Sequence, residues 1–265
     1  MVFDYGFFKR EVLTLTGIDL NCYQEKQMKR RIDYLISKNR IEGYDKYVVC
    51  LKTDRKMLEE FVNYITINVS EFYRDLSQWK VMEDKALPEL IGRFGKRLKI
   101  WSAACSTGDE PYSLVMALSR HLPLGNIRIY ATDLDRQVIA KAKEGIYPEK
   151  SLMSVPADLR RRYFRQTGDS FRISDEIKAC VEFREHNLLK DIYPAEYHLI
   201  VCRNVLIYFT EETKDVIFRK FYQSLVPGGM LFIGNSEQIL NYREIGYTRK
   251  NSYYYERTAE ERSKE

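Results

Sequence analysis

The sequence predicts an α/β protein in which an open, mainly parallel sheet follows a small helical domain. Three observations predict it. Apolar residues recur at helical spacing through residues 1–75, and from Leu98 onward short apolar runs alternate with helical segments. The first of those runs, Leu98 to Trp101, ends in small residues and then an acidic helix start. At 265 residues the chain can bury a full core, and ordinary domain sizes predict two domains.

The helical part comes first. Phe7, Phe8, Val12, Leu13 and Leu15 form an apolar face closed by Thr16-Gly17. Met28, Ile32, Leu35 and Ile36 mark a second helix, whose other flank carries Lys26, Lys29, Arg30, Arg31, Lys38 and Arg40 against only Glu25 and Asp33. Such a flank attracts an acidic partner, although a solvated face fits the same pattern. Tyr44, Tyr47, Val48 and Leu51 predict a third helix, and Met57, Leu58, Phe61, Val62 and Ile65 a fourth, enough for a bundle. Thr66 to Arg74 then alternates polar and apolar residues before an expected helical turn with Ser70 as its N-cap. Asn68 and Arg74 have no such local explanation, and an arginine beside aromatic residues often binds a carboxylate; a plain surface role stays open. Residues 76–97 read as a charged connecting helix, broken near Pro88.

The strand ending at Trp101 runs into Ser102-Ala103-Ala104-Cys105-Ser106-Thr107-Gly108, where a ligand can touch backbone. Asp109-Glu110-Pro111-Tyr112 opens a helix, with Pro111 suited to its first turn. Ile127 to Ala131 makes the next strand, and Thr132-Asp133-Leu134-Asp135 places carboxylates at its carboxyl end. A phosphate site needs several glycines here, whereas this turn has one glycine followed by two acids. A nucleoside without phosphates fits better: Asp133 can accept from ribose hydroxyls, and Glu110 can face a cation. S-adenosylmethionine is such a nucleoside. A strand turn whose acids merely favour the helix dipole fits the pattern too.

Val138, Ile139 and Ala142 form a helix ending at Gly145. Residues 146–180 interrupt the alternation with two prolines, the run Arg160-Arg161-Arg162 and Ser170-Phe171-Arg172-Ile173, and read as an insertion. Val181 to Leu188 resumes the sheet, with Asn187 where its amide can read an adenine edge and His186 in a structural role. His198 to Cys202 is a buried strand by composition, so Arg203 directly after it must be paired or face a cleft. Glu211 to Leu225 is an amphipathic helix, Pro227-Gly228-Gly229 a turn, Met230 to Ile233 a strand, and Asn251 to Tyr255 a last, antiparallel strand. Residues 259–265 read as a charged tail.

Composition bounds the rest. The chain is 45% hydrophobic and 31% charged, as in ordinary globular proteins, with no run suited to a membrane span and no signal peptide. Five cysteines without a C-x-x-C pair predict reduced thiols and no metal site. Forty-three basic against thirty-eight acidic residues leave +5, too small a surplus to imply nucleic acid.

Four stretches taken in order, Thr66 to Arg74, Trp101 to Tyr112, Ala131 to Asp135 and Cys202 to Phe209, resemble the CheR family of bacterial chemotaxis methyltransferases, which methylate receptor glutamates. The resemblance runs over nearly the whole chain. It implies an amino-terminal helical domain over 1–75, a Rossmann-like methyltransferase domain over 98–258, and a small β-subdomain inserted at about 146–180. It implies that Asn68, Ser70, Arg74, Glu110, Asp133, Asn187, Leu188, Arg203 and Asn204 contact S-adenosylmethionine or its product S-adenosylhomocysteine. Ser70 stands where threonine is common, and Asp109 where glutamate is common, with Glu110 the matching acid. Arg203 and Tyr208 match positions at the reacting end, Arg203 to steer the incoming carboxylate and Tyr208 to fix its angle, while Arg74 holds the cofactor's carboxylate. Lys26, Lys29, Arg30 and Arg31 would meet acidic flanks of the receptor's methylation helices. The implied partner is the cytoplasmic domain of methyl-accepting receptors, met by a cytoplasmic monomer without membrane insertion. Phe171-Arg172-Ile173 gives no clear sign of a peptide-docking edge. The alternatives are an RNA or small-molecule methyltransferase and a cofactor-binding regulator without catalysis.

Overall fold

The computed structural model describes residues 4–258; the expected charged tail at 259–265 lies outside the described residues. The chain divides into two compact units, one running through Asn68 and including Val205–Asp215, the other comprising Val69–Asn204 and Val216 onward.

The first unit is built on α1 (Tyr5–Thr16), α2 (Glu25–Lys38), α3 (Gly43–Thr53) and α4 (Arg55–Ile65). Asp4 caps α1 by accepting the Phe7 N–H, and Gly17 ends it in a left-handed conformation at φ 76°. Phe8, Tyr47 and Phe61 are buried together, with every pair of ring centroids 5.9–6.0 Å apart. The segment Val205–Asp215 completes this unit. Tyr23 and Phe209 form an antiparallel bridge with their rings 4.8 Å apart. The Gln24 N–H donates to the Tyr208 carbonyl at 2.8 Å and the Thr210 N–H to the Cys22 carbonyl at 3.0 Å.

The second unit begins with a non-helical stretch, so Ser70 is not an N-cap. Tyr73 and Asp75 adopt left-handed backbone at φ 53° and 61°, and helix begins only at α5 (Leu76–Val81). The Ser70 hydroxyl hydrogen-bonds the Asp109 carboxylate instead. The Phe72 N–H reaches the Ser151 carbonyl, and the Tyr73 N–H the Ser113 hydroxyl. The expected break at Pro88 also takes another form. A π-helical turn over Met82–Ala86 joins α5 to α6 (Leu87–Phe94), closed by the Leu87 N–H on the Met82 carbonyl. Proline lacks an N–H and crowds the carbonyl four residues back, and a widened turn just ahead of it accommodates both without ending the helix. The segment read as a connector belongs to the core: Trp79, Met82, Leu87 and Leu90 are buried with Ile100, Val115 and Phe232.

The chain then alternates β1 (Ile100–Ala103), α7 (Asp109–Leu118), β2 (Ile129–Asp133) and α8 (Arg136–Glu144). The insertion follows, with β3 (Ile146–Pro148), α9 (Ala157–Tyr163), β4 (Phe164–Thr167), β5 (Ser170–Ile173) and α10 (Asp175–Lys178). Its sheet has the order β3-β5-β4, so Phe171-Arg172-Ile173 lies on the middle strand and offers no free edge. The main sheet resumes with β6 (Val181–Glu185), β7 (Tyr197–Cys202), α11 (Glu211–Ser224), β8 (Leu225–Ile233), α12 (Tyr242–Ile245), β9 (Tyr247–Arg249) and β10 (Tyr254–Arg257). Its order is β6-β2-β1-β7-β8-β10-β9, parallel from β6 to β8, with β10 antiparallel to both neighbours.

Two boundaries differ from expectation. Pro227-Gly228-Gly229 is a bulge inside β8, because Tyr197 pairs with Leu225 while Leu199 already pairs with Met230. Asn251 is a bend whose side chain accepts the Tyr253 and Tyr254 N–H groups, so β10 starts later than expected, and β9 precedes it unpredicted. The order of strands reverses at β1, flanked by β2 and β7, and the crevice outside the carboxyl ends of such strands is where open α/β sheets bind ligands.

Candidate active site

The loop after β1 owes its shape to small residues. Ala104, Ser106 and Gly108 all adopt left-handed backbone, at φ 67°, 48° and 88°. A Cβ at Gly108 would lie 2.9 Å from the Ala142 Cβ. Asp133, at the end of β2, holds the loop: one carboxylate oxygen accepts the Ser106 N–H at 2.8 Å, the other the Asp135 N–H at 3.0 Å. Asp133 is buried, and burial pushes its carboxyl up to about 6 although both backbone bonds oppose the shift. Each of its oxygens thus already accepts one backbone N–H.

Glu110 sits in the first turn of α7 and accepts the Ser102 hydroxyl at 2.7 Å. Burial raises its carboxyl to about 7; Arg203 and the Ser102 bond pull the other way, and the nearby Glu237 charge adds to the rise. Burial raises the Cys105 thiol, and the nearby charges of Asp133 and Glu110 add to the rise.

Arg203 follows β7, with its side chain 2% exposed. It is paired, as its position after a core strand requires: Nη2 donates to the Arg74 carbonyl at 2.9 Å, Asp75 at 3.1 Å and Gln78 at 2.8 Å. Its guanidinium lies 4.7 Å from the Phe232 ring centroid. Arg203 therefore holds residues 74–78 against the sheet end, while its buried Nε has no hydrogen-bond partner. Arg74 is half-buried and donates to the Val69 carbonyl. Asn204 is left-handed at φ 60°, and its buried side-chain oxygen also lacks a partner. Beyond β6, the Asn187 side-chain oxygen accepts the Leu189 N–H. Leu188 is buried, its carbonyl taken by the Tyr193 hydroxyl. His186 packs edge-on against Trp101 and Tyr193, and burial lowers its basicity, a structural role.

These residues fit a cationic nucleoside. A small-residue loop, two acids with raised proton affinity, Asp133 buried and Glu110 partly so, and orphaned polar atoms on Arg203, Asn204 and Ser106 stand at the carboxyl ends of β1, β2 and β7. The chain matches the description "CheR methyltransferase, SAM binding domain" over residues 68–254 and "CheR methyltransferase, all-alpha domain" over 4–66. It is 42% identical to a "Chemotaxis protein methyltransferase" of Listeria innocua, covering 96% of this chain and 97% of that one. A protein of the same name from Borreliella burgdorferi is 30% identical, covering 89% and 88%. "Chemotaxis protein methyltransferase 1" of Pseudomonas aeruginosa is 35% identical, covering 90% and 91%.

The chain belongs to the CheR methyltransferase family. It is an S-adenosylmethionine-dependent methyltransferase with the Rossmann-like fold its sequence predicts.

Not every expected site residue lies in the second unit. Asn68 and Tyr208 belong to the first, where the Asn68 amide donates to the Thr66 hydroxyl at 2.9 Å and the Tyr208 carbonyl accepts from Gln24. On α2, Lys26 and Arg30 are exposed. Lys29 is bound to Asp33 at 2.8 Å beside Tyr44, and Arg31 lies 4.4 Å over the Tyr64 ring while donating to the Tyr64 carbonyl. Gln78, Ser106 and Glu237 were not singled out by sequence. A glutamine in an ordinary helical pattern carries no signal, but Glu237 shortly after a core strand, in Gly234-Asn235-Ser236-Glu237, could have been noticed on the grounds that flagged Arg203.

Proposed function

We propose that this methyltransferase esterifies glutamate side chains on the cytoplasmic domains of methyl-accepting chemotaxis receptors, serving sensory adaptation. The observation that carries the reading is the pair Glu110 and Asp133, a partly buried and a buried acid at one sheet edge with raised proton affinity, which a cationic, phosphate-free ligand would relieve. Glu110 would face the cofactor's positive charge, Asp133 its ribose, Asn187 and Leu188 its base, and Arg74 its carboxylate. When bound, S-adenosylmethionine supplies a sulfonium methyl that an ionised carboxylate can take directly, leaving S-adenosylhomocysteine, so no protein base is required.

The protein's contribution is then positioning and exclusion of water. Arg203 keeps a buried Nε–H unpartnered and a permanent charge, suited to orienting an incoming carboxylate. The roles of Ser70, Asn204, Asn68 and Tyr208 rest on their places in the sequence motifs. The exposed Lys26 and Arg30 on α2, more than Lys29 and Arg31, supply cations for an acidic receptor helix. Among the described residues no helix is long and apolar enough to cross a membrane.

The test is transfer of radiolabelled methyl from S-adenosylmethionine to receptor-containing membranes, followed by alkali. Release of volatile methanol identifies a carboxyl methyl ester; alkali-stable label, or label on RNA alone, refutes the proposal.

A further inference from the structure

The carboxylate of Glu237 has no part in the chemistry above, yet it is built into the sheet edge. Glu237 is 4% exposed, on the loop after β8. A single oxygen, Oε2, accepts the Gly234 N–H at 2.6 Å and the Asn204 N–H at 3.0 Å. The Glu237 N–H returns to the Gly234 carbonyl at 3.0 Å, closing a tight turn. A buried acid bound to two backbone donors is costly to place and strongly directional once placed.

What it grips is a left-handed residue. Asn204 has φ 60°, a conformation that asparagine tolerates better than most side chains and that turns its side chain away from the strand path. Directly beyond that backbone, the Asn204 side-chain oxygen is buried and unpartnered. An orphaned acceptor of this kind calls for a donor from outside the chain. Gly234 is part of the same device: a Cβ there would lie 2.8 Å from Glu237 Oε2, 2.9 Å from Asn204 Nδ2 and 3.0 Å from the Asn204 nitrogen.

We infer that Glu237 is a positioning residue that locks Asn204 in its left-handed turn, so that the Asn204 carbonyl oxygen can accept a hydrogen bond from a donor group of the cofactor. This rests on the cofactor reading above. Glu237 acts through Asn204, and Gly234 is required so that the two can meet. The charge of Glu237 is also felt at Glu110 and at the buried Cys202 thiol, which places it in the same electrostatic region.

The test is a pair of mutant cycles read by calorimetric titration with S-adenosylhomocysteine. E237Q weakens the acceptor without changing its shape, and G234A forces the turn and Asn204 apart. Each is made in the wild-type chain and on an N204A background. Each should weaken binding roughly tenfold alone and less than about twofold on N204A, because the contact it supports is already gone. In steady state, KM for S-adenosylmethionine should rise with kcat held within about twofold, the pattern of lost uniform binding. Equal losses on both backgrounds, or no loss in either single variant, overturn the proposal while leaving the cofactor reading intact. If the wild-type chain does not bind S-adenosylhomocysteine, the cofactor reading falls first and this inference with it.

Discussion

Ser106 donates its backbone N–H to Asp133 across the ends of β1 and β2, and a single carboxylate thereby shapes the loop after β1. Replacing Asp133 by Asn turns one of its two accepting oxygens into a donor facing a backbone N–H. D133N should cost roughly 1–3 kcal/mol and lower Tm by several degrees. S-adenosylhomocysteine affinity should fall with it, and calorimetry on the same sample reads both.

Glu110 predicts a pH dependence of binding. Its carboxyl is raised to about 7, and a cationic ligand needs the ionised form. S-adenosylmethionine affinity should therefore drop roughly tenfold from pH 8 to pH 6, with protons released on binding near pH 7. E110Q should bind weakly and without that dependence. Titration in buffers of different ionisation heat measures the proton count.

The same group predicts the opposite trend in stability. Between the ordinary glutamate value, 4.5, and about 7, the folded chain keeps a proton that the unfolded chain has lost. Its contribution to ligand-free stability thus falls as pH rises through that window. E110Q should gain Tm over wild type at pH 8 and match it near pH 4, as followed by thermal denaturation across the range.

Arg203 serves both structure and, on the proposed mechanism, transfer. R203A leaves the acceptors on Arg74, Asp75 and Gln78 without their donor and should be strongly destabilised. R203K keeps the charge and is the cleaner probe. It should cut methyl transfer by about tenfold or more while changing S-adenosylhomocysteine affinity far less. Equal losses in both would reject the division of labour.

On α2 the cations separate into two kinds. K26E and R30E should weaken receptor binding and flatten its salt dependence, measured by co-sedimentation at increasing ionic strength. K29A and R31A should act mainly on folding, since Lys29 is tied to Asp33 and Arg31 to Tyr64.

The local signals were readable. Small residues, a lone glycine and paired acids specify the β1 loop and its ligand class, because both depend on neighbours in sequence. Gly17 and Gly145 end helices where they stand, at φ 76° and 70°. What escaped depends on distance along the chain. Ser70 looks like a helix cap until Asp109 claims its hydroxyl. Pro88 looks like a break until the core holds Met82 and Leu87 on one continuous helix. Pro227-Gly228-Gly229 looks like a turn until β7 supplies partners on both sides of it. Glu237 draws no reading from its neighbours in sequence, because the Asn204 amide that converges on it with that of Gly234 lies more than thirty residues away.

The bridge between Tyr23 and Phe209 has a further consequence. A fragment cut after Asn68 would keep all four helices but lose the segment that receives Gln24 and gives Thr210 to Cys22, so a minimal amino-terminal piece must carry 205–215 as a graft. During synthesis the helices emerge first, yet they wait for most of the polypeptide to leave the ribosome before their last partner arrives.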